Sequence, residues 1–241
     1  MPDRRRHRGP HPKDETLFAP DAHGLLRRAV EDLAWLLERG YASNAALKLV
    51  GDRFQLRDRQ RLAVMRATCT DSQRASRASS RIEPAALQGE AVAIDGYNVL
   101  ITLEAALAGG VLLLCRDGTL RDLASFHGHF KRVEETDPAI ELLGRWLDRH
   151  APSHVTLFLD RPVSNSGRLA ERLREHAAAR ACPWTVELVN SPDHELRTGA
   201  AIVASADSAV IDGAARWVNL ARHVVGELEP VSPWIDLRPP M

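Results

Sequence analysis

The chain has 241 residues, 44% of them hydrophobic, and its 32 lysines and arginines balance its 32 aspartates and glutamates. This length and apolar content are sufficient for one or two domains with a real hydrophobic core. The balanced charge excludes an overall field that draws the protein to nucleic acid or membranes, so any such attraction must come from local patches.

The N-terminal part of the chain predicts a basic arm, a small all-α domain and a linker. Residues 1–20 carry arginines and prolines without apolar periodicity, which is typical of a disordered arm. Residues 21–70 carry leucines and valines at helical spacing, with glycines as stops. The predicted helices cover residues 21–41, 43–50 and 56–69. Residues 71–90 are small and polar and predict a linker.

Residues 91–228 change to short apolar runs that alternate with longer helical stretches, and residues 229–241 form a predicted tail. This alternation predicts an α/β domain with a mostly parallel sheet flanked by helices. The predicted strands cover 91–94, 111–115, 155–159, 185–189, 201–204 and 217–220, and the clearest helices cover 139–150 and 168–180. Asp117 and Gly118 predict a hairpin turn.

The most informative run begins with the strand at residues 91–94 and continues into Asp95, Gly96 and Asn98. In open α/β sheets, ligands bind at the carboxyl ends of the strands, so a carboxylate there faces the binding crevice. An aspartate in this position also caps helices, and the residues alone weigh the two interpretations about equally.

Other strands are also followed by acids. Asp160 follows the strand at 155–159, Asp207 follows the strand at 201–204, and Asp193 and Asp212 lie further on. Clustered carboxylates raise one another's pKa unless a cation lies among them. Oxygen ligands without a nearby Cys/His set favour Mg²⁺ or Mn²⁺, which can activate water for phosphodiester hydrolysis.

The run of residues 94–99, Ile-Asp-Gly-Tyr-Asn-Val, resembles the opening motif of NYN-type members of the PIN ribonuclease superfamily. The resemblance spans about residues 91–225 and implies a central parallel sheet with acids at its carboxyl edge and Mg²⁺- or Mn²⁺-dependent cleavage of RNA. The segment at 109–131 departs from the family, which normally has helices there. The N-terminal part resembles an uncharacterised helical family that is found fused to such a domain, and that resemblance names no activity.

The resemblance also implies roles for individual residues. Asp95 would be a metal ligand, and Asn98 would orient it or a bound water. Asp160 is similar to the second strand-end acid of the family, and Asp207 to its later Ser/Thr-x-Asp element. One of two further acids would complete the metal site, and these are Asp193 and Asp212.

Candidate RNA contacts come from arginines and from one loop. The arginine run includes Arg53, Arg57, Arg59, Arg61 and Arg66. Guanidinium groups suit phosphate geometry, although a solvated helix face is the usual explanation of such a run. The loop after Asp160 adds Arg161, Ser164 and Ser166, where an ordinary helix cap is the favoured alternative. His127 and His129 are weaker candidates for metal binding or acid–base chemistry.

The sequence shows no sign of membrane insertion or export. No apolar stretch approaches the ~20 residues that cross a bilayer, and the first residues lack the apolar core of a secretory signal. Cys69, Cys115 and Cys182 are far apart and odd in number, which favours buried thiols over disulfides or a zinc site. We therefore expect a cytoplasmic protein without membrane partners. Its protein partners and oligomeric state stay open, and a homo-oligomer is compatible with the sequence.

These observations lead to two hypotheses. The first is a metal-dependent endoribonuclease in which strand-end aspartates hold Mg²⁺ or Mn²⁺ and arginines recruit RNA. The alternative is a non-catalytic PIN-like RNA-binding module, in which the acids serve only as helix caps.

Overall fold

The computed structural model describes residues 7–124, 130–228 and 234–239, so His127 and His129 lie outside the described residues. The N-terminal region is helical, as predicted. Its helices are α1 (Asp14–Leu17), α2 (Pro20–Glu38), α3 (Ser43–Arg53), α4 (Asp58–Ala67) and α5 (Asp71–Ser80). Pro20 occupies the first position of α2, where its missing N–H is not needed. In the described part of the chain, no helix has the length and apolar character needed to cross a membrane.

Two segments differ from the predicted arm and linker. Within residues 7–20, Asp14 is buried and paired with Arg59, whose Nη2 lies 2.7 Å from Oδ2 of Asp14, and Arg8 pairs with the buried Glu104. Residues 71–80 form α5 instead of a linker, and Thr70 caps this helix by accepting a hydrogen bond from the backbone N–H of Gln73. The partners of Asp14 and Arg8 lie far along the chain, where no local pattern specifies them, whereas α5 begins at a local capping box of Thr70 and Gln73 that the polar composition of residues 71–80 obscured.

The C-terminal region contains a parallel sheet, which confirms the predicted α/β class. Its strands are β1 (Ala91–Asp95), β4 (His154–Asp160), β5 (Trp184–Val189), β6 (Ile202–Ala204) and β7 (Trp217–Val218). Their order is β5-β4-β1-β6-β7, and all pairs are parallel. The strand β1 therefore lies between β4 and β6, and the carboxyl ends of all three reach the same edge of the sheet.

Helices cover both faces of this sheet and follow its strands. They are α6 (Gly96–Leu107), α7 (Thr136–His150), α8 (Ser166–Ala179), α9 (Pro192–Thr198), α10 (Ser208–Gly213) and α11 (Leu220–Gly226). Residues such as Ile94, Leu100 and Leu157 form the main core between the sheet and these helices. In β1 and β6, consecutive apolar residues are buried because both faces of the sheet are covered there.

A second, small sheet joins the helical region to the α/β region. It consists of β2 (Leu112–Leu114), β3 (Leu120–Asp122) and β8 (Trp234–Asp236), in the order β3-β2-β8. The strands β2 and β3 are antiparallel, and Gly118 in their turn has φ +81°, so the predicted hairpin is confirmed. The predicted strand at 111–115 thus lies outside the main sheet. Its Leu113 packs in one core with Leu26 and Val64 of the N-terminal helices.

A buried ion cluster connects the same regions. Arg77 of α5 is 1% exposed and donates to Asp117 of the β2–β3 turn at 2.6 Å and to Asp212 of α10 at 2.6 and 2.9 Å. Its carbonyl oxygen accepts a hydrogen bond from Nε1 of Trp217 at 2.9 Å. Arg121 of β3 also donates to Asp117, at 3.1 Å. Because each buried charge has a partner, the cluster fixes α5 against the α/β region.

We expect Arg77→Ala to lower the free energy of unfolding by about 3–5 kcal/mol, because it removes a partner of the buried Asp117 carboxylate. Urea unfolding measures this loss. The matched control is Asp212→Asn, which should cost less because Asp212 is 33% exposed and Arg77 keeps its bonds to Asp117. Equal losses in the two variants would contradict the dominant role of the Arg77–Asp117 pair.

The same cluster predicts acid sensitivity. Burial alone would raise the pKa of Asp117, but the charges of Arg121 and Arg77 and hydrogen bonds from Thr119 lower it to about 2. A lowered carboxyl pKa stabilises the folded state above the unfolded pKa of 3.8 and loses this contribution as pH falls toward 2.

Candidate functional site

Five aspartates line one open pocket of about 350 Å³ at the carboxyl edge of the parallel sheet. We call it the acidic pocket. Asp122 belongs to β3, and the other four lie at or after strands of the parallel sheet and are Asp95, Asp160, Asp193 and Asp207. Asp95 and Asp160 are the last residues of β1 and β4, Asp193 lies in the first turn of α9 after β5, and Asp207 precedes α10 after β6. Parallel pairing places these residues at one edge, although they lie far apart in sequence.

A hydrogen-bond network holds Asp95 in place. Its Oδ2 accepts from Oγ of Ser205 at 2.9 Å, and its Oδ1 accepts from the backbone N–H of Asn98 at 3.3 Å. The Ser205 hydroxyl also accepts from the backbone N–H of Asp207 at 3.0 Å. Asp95 therefore both caps α6 and faces the acidic pocket, so the two sequence interpretations apply to the same side chain.

Asn98 connects two strand ends. Its Oδ1 accepts a hydrogen bond from the backbone N–H of Ala206 at 2.8 Å, which ties the turn after β1 to the turn after β6. Gly96 packs closely against β4, since a Cβ on Gly96 would lie 2.9 Å from the carbonyl oxygen of Phe158. Asn98 thus positions the backbone around Asp95.

Burial and repulsion between neighbouring carboxylates raise pKa values in the acidic pocket. Burial, with further repulsion from Asp207 and Asp193, raises the pKa of Asp95 to about 7, against the opposing hydrogen bonds of Ser205 and Asn98. Burial and the charge of Asp193 also raise the pKa of Asp160. A nearby cation would relieve this repulsion.

One wall of the acidic pocket comes from β3 and α4. Arg121 donates to the carbonyl oxygen of Ala206 at 2.7 Å and to Oγ of Ser208 at 3.2 Å, which fixes the turn that carries Asp207. Asp122 also lines the pocket and accepts from Oγ1 of Thr102 at 2.9 Å. Sequence reasoning missed these residues because the β2–β3 hairpin carries no motif. Ser205 was visible only as part of the Ser-x-Asp element that ends at Asp207.

The structure places Asp212 elsewhere, which corrects its expected role as a metal ligand. Both of its carboxylate oxygens accept hydrogen bonds from the guanidinium of Arg77, and Asp212 does not line the acidic pocket. A carboxylate engaged in this way is neutralised by its partner. Asp193, in contrast, lines the pocket as expected.

Most of the arginines predicted to contact RNA have other partners. Arg66 lines the acidic pocket and donates to the carbonyl oxygen of Asp122 at 2.6 Å. Arg59 pairs with Asp14, and Arg61 pairs with Asp52 at 2.8 Å. Arg53 lies 3.5 Å from Asp32, while Arg57 is exposed before α4. Of these arginines, Arg66 is therefore the one that lines the acidic pocket.

The loop after Asp160 is held by its own hydrogen bonds. Arg161 donates to the carbonyl oxygen of Leu188 at 2.6 Å, and Oγ of Ser166 donates to the carbonyl oxygen of Arg161 at 3.2 Å. The carbonyl oxygen of Ser164 accepts from the backbone N–H of Phe130 at 3.1 Å. These contacts are those of a structural loop at the start of α8.

The acidic pocket offers the ligand chemistry of a hard divalent cation, but its acids are spread out. All its candidate donors are oxygens, which suit Mg²⁺ or Mn²⁺. Within residues 7–124, 130–228 and 234–239, no three His, Cys, Asp or Glu side chains converge closely enough to hold a metal ion. Coordination by several acids would therefore require carboxylates to rotate about their side-chain bonds.

Comparisons with known proteins match both regions of the chain. Residues 84–223 match the family described as "Domain of unknown function (DUF5616)", and residues 25–79 match "Protein of unknown function (DUF434)". A protein of Methanocaldococcus jannaschii, "Uncharacterized protein MJ0935", is 34% identical over 186 residues, which are 77% of this chain and 88% of that protein. No solved structure matches significantly.

The raised pKa of Asp95 predicts a pH-dependent effect of Asp95→Asn. Because its pKa rises from 3.8 to about 7 on folding, the charged form destabilises the folded state, and this cost grows as pH rises from about 4 to 7. Asp95→Asn removes the charge and retains an oxygen acceptor. We therefore expect it to raise the melting temperature by several degrees at pH 8 and by less at pH 5.

Thermal unfolding at the two pH values measures this difference. Asp148→Asn is the matched control, because Asp148 is 43% exposed and pairs with Arg180 on another surface. A pH-independent effect of Asp95→Asn would show that the Asp95 carboxylate is not under electrostatic strain.

Proposed function

The chain belongs to the family described as "Domain of unknown function (DUF5616)", which names no activity. From the geometry of the acidic pocket, we propose that it is a metal-dependent ribonuclease that hydrolyses RNA there. The observation that carries the proposal is that Asp95, Asp160, Asp193 and Asp207 line one pocket at the carboxyl edge of a parallel sheet. Neighbouring carboxylates repel one another and destabilise the folded state, so their presence together indicates a role in cation binding or proton transfer.

In this proposal, Asp95 is the central metal ligand. It lies at the end of the central strand β1, and its raised pKa reflects charge that a divalent ion would stabilise. Asp160, at the end of β4, and Asp207, after β6, come from the strands on the two sides of β1, and Asp193 follows β5. A bound Mg²⁺ or Mn²⁺ would supply an activated water and screen the charge of the scissile phosphate.

The neighbouring residues have positioning roles. Ser205 and Asn98 hold Asp95 and the turn after β6 in register, through bonds of 2.9 Å to the Asp95 carboxylate and 2.8 Å to the N–H of Ala206. Arg66 is 30% exposed at the pocket, so its guanidinium can contact an RNA phosphate without leaving the wall. Substrate RNA would therefore approach along α4 and β3.

The non-catalytic RNA-binding module stays the second candidate, and two observations favour it. Asp95 and Asp207 both cap helices, since Asp207 accepts from the backbone N–H of Ala209 at 2.8 Å. In addition, no three acids of the described residues converge on one point. In this alternative the acids are structural, and RNA contacts depend on the arginines alone.

Cleavage of a labelled single-stranded RNA with Mn²⁺ tests the nuclease proposal. We expect Asp95→Asn to reduce the rate by ~100-fold or more, because it weakens metal binding at the central position. Asp148→Asn, a carboxylate outside the acidic pocket, should retain the wild-type rate. A wild-type protein that cuts no RNA with Mg²⁺ or Mn²⁺, or an equally active Asp95→Asn variant, would overturn the proposal.

Metal binding can be measured separately from cleavage. Mn²⁺ at about 100 times its dissociation constant should stabilise the folded wild-type protein by about 2.7 kcal/mol, seen as a higher melting temperature. The Asp95→Asn variant should show little of this shift, whereas Asp148→Asn should show all of it. No shift at millimolar Mn²⁺ would favour the binding module.

A further inference from the structure

A second pocket lies beside α11 and shares no residue with the acidic pocket. Its volume is about 440 Å³. We call it the arginine pocket, and the residues that matter here are Arg81, Asn219, Arg222, His223 and Trp234. Asn219 directly follows β7, so the pocket lies at the carboxyl end of this strand, where open α/β sheets bind ligands.

Two guanidinium groups meet over the β2–β3 turn. A Cβ placed on Gly118 would lie 3.2 Å from Nη1 of Arg81 and 3.6 Å from Nη1 of Arg222. Arg222 also donates to the carbonyl oxygen of Gly118 at 3.1 Å. Burial and the charges of Arg238 and Arg81 lower the pKa of Arg222, which is the direction expected for cations that repel one another.

The described carboxylates do not neutralise both of these cations. Within the described ranges, neither Arg81 nor Arg222 forms an ion pair, and two of the three nearby acids have other partners. Glu227 pairs with Arg149 and accepts from Nε1 of Trp146, and Asp236 pairs with Arg238 at 2.7 Å. Glu83 is exposed and offsets one of the two positive charges. The arginine pocket therefore keeps a positive charge that an anion would neutralise.

Asn219 adds an unsatisfied acceptor. Its side chain is held in place because Nδ2 donates to the carbonyl oxygen of Gly118 at 2.7 Å. Asn219 is 2% exposed, and its buried Oδ1 has no hydrogen-bond donor among the described residues. Since this oxygen has almost no accessible surface, it does not face the open pocket, and Asn219 contributes by fixing the wall of the arginine pocket to the β2–β3 turn.

We propose that the arginine pocket binds a nucleotide phosphate monoester. Arg81 and Arg222 would hold the phosphate through charge-assisted hydrogen bonds. Trp234 supplies a partly buried ring against which a base can stack. Two sources fit this chemistry, a free nucleoside monophosphate and the terminal phosphate of an oligonucleotide. The proposal does not depend on metal binding or cleavage.

Isothermal titration tests the proposal with adenosine 5′-monophosphate, adenosine, inorganic phosphate and a short oligoribonucleotide with or without a 5′-phosphate. We expect the monophosphate to bind and adenosine not to bind. Arg81→Gln should weaken binding by at least about tenfold, because it removes a charged hydrogen-bond donor. Arg145→Gln is the matched control, since Arg145 lies on α7 and is 55% exposed. Asp95→Asn should bind normally.

The outcomes separate the parts of the proposal. Preference for the 5′-phosphorylated oligonucleotide over the free monophosphate identifies a nucleic-acid end as the ligand, and the reverse identifies a free nucleotide. Inorganic phosphate that binds as tightly as the monophosphate would overturn the role of Trp234. Absence of binding at millimolar ligand, or equal binding by the Arg81→Gln and Arg145→Gln variants, would overturn the site. Because Arg81 is only partly buried, its substitution should leave the fold intact.

Discussion

The central physical constraint on this molecule is the repulsion between carboxylates that parallel strand pairing brings to one edge of the sheet. With β1 between β4 and β6, the carboxyl ends of these strands lie side by side, and they carry Asp95, Asp160 and, three residues beyond β6, Asp207. The fold tolerates this repulsion through hydrogen bonds to Asp95 and through partial exposure of Asp160 and Asp207. Removal of the acids would relieve the strain, so their presence argues for a use beyond stability.

The helical region is part of this arrangement and not an appended domain. Its α4 supplies Arg66 to the wall of the acidic pocket, and its α5 inserts Arg77 into the ion cluster with Asp117 and Asp212. Arg121 extends the cluster to the turn that carries Asp207. A displacement of the N-terminal helices would therefore alter the geometry of the acids, which physically couples the two matched regions of the chain.

The two pockets at the carboxyl edge of the sheet offer opposite charges to a ligand. The acidic pocket lies at the ends of β1, β4 and β6 and suits a cation, whereas the arginine pocket lies at the end of β7 and suits an anion. The β2–β3 hairpin contributes to both, because Arg121 lines the acidic pocket and the carbonyl oxygen of Gly118 accepts hydrogen bonds from Asn219 and Arg222 of the arginine pocket. A protein that acts on nucleic acid needs contacts of both kinds, one for the reacting phosphate and one for the charge elsewhere on the ligand.

The sequence by itself determined the α/β class, the strand-end aspartate of β1 and the hairpin turn at Gly118, because hydrophobic period, a strand–acid–glycine run and turn chemistry are local signals. Tertiary structure alone decided which acids meet. Asp193 reaches the acidic pocket, whereas Asp212, five residues beyond Asp207, is turned to the buried Arg77. The tertiary structure also orders residues 71–80, which were expected to form a linker. It brings Arg121 to the carbonyl oxygen of Ala206 and Ser205 to the carboxylate of Asp95. The physical reason is that these outcomes depend on ion pairs and hydrogen bonds between residues far apart in the chain, which no local pattern specifies.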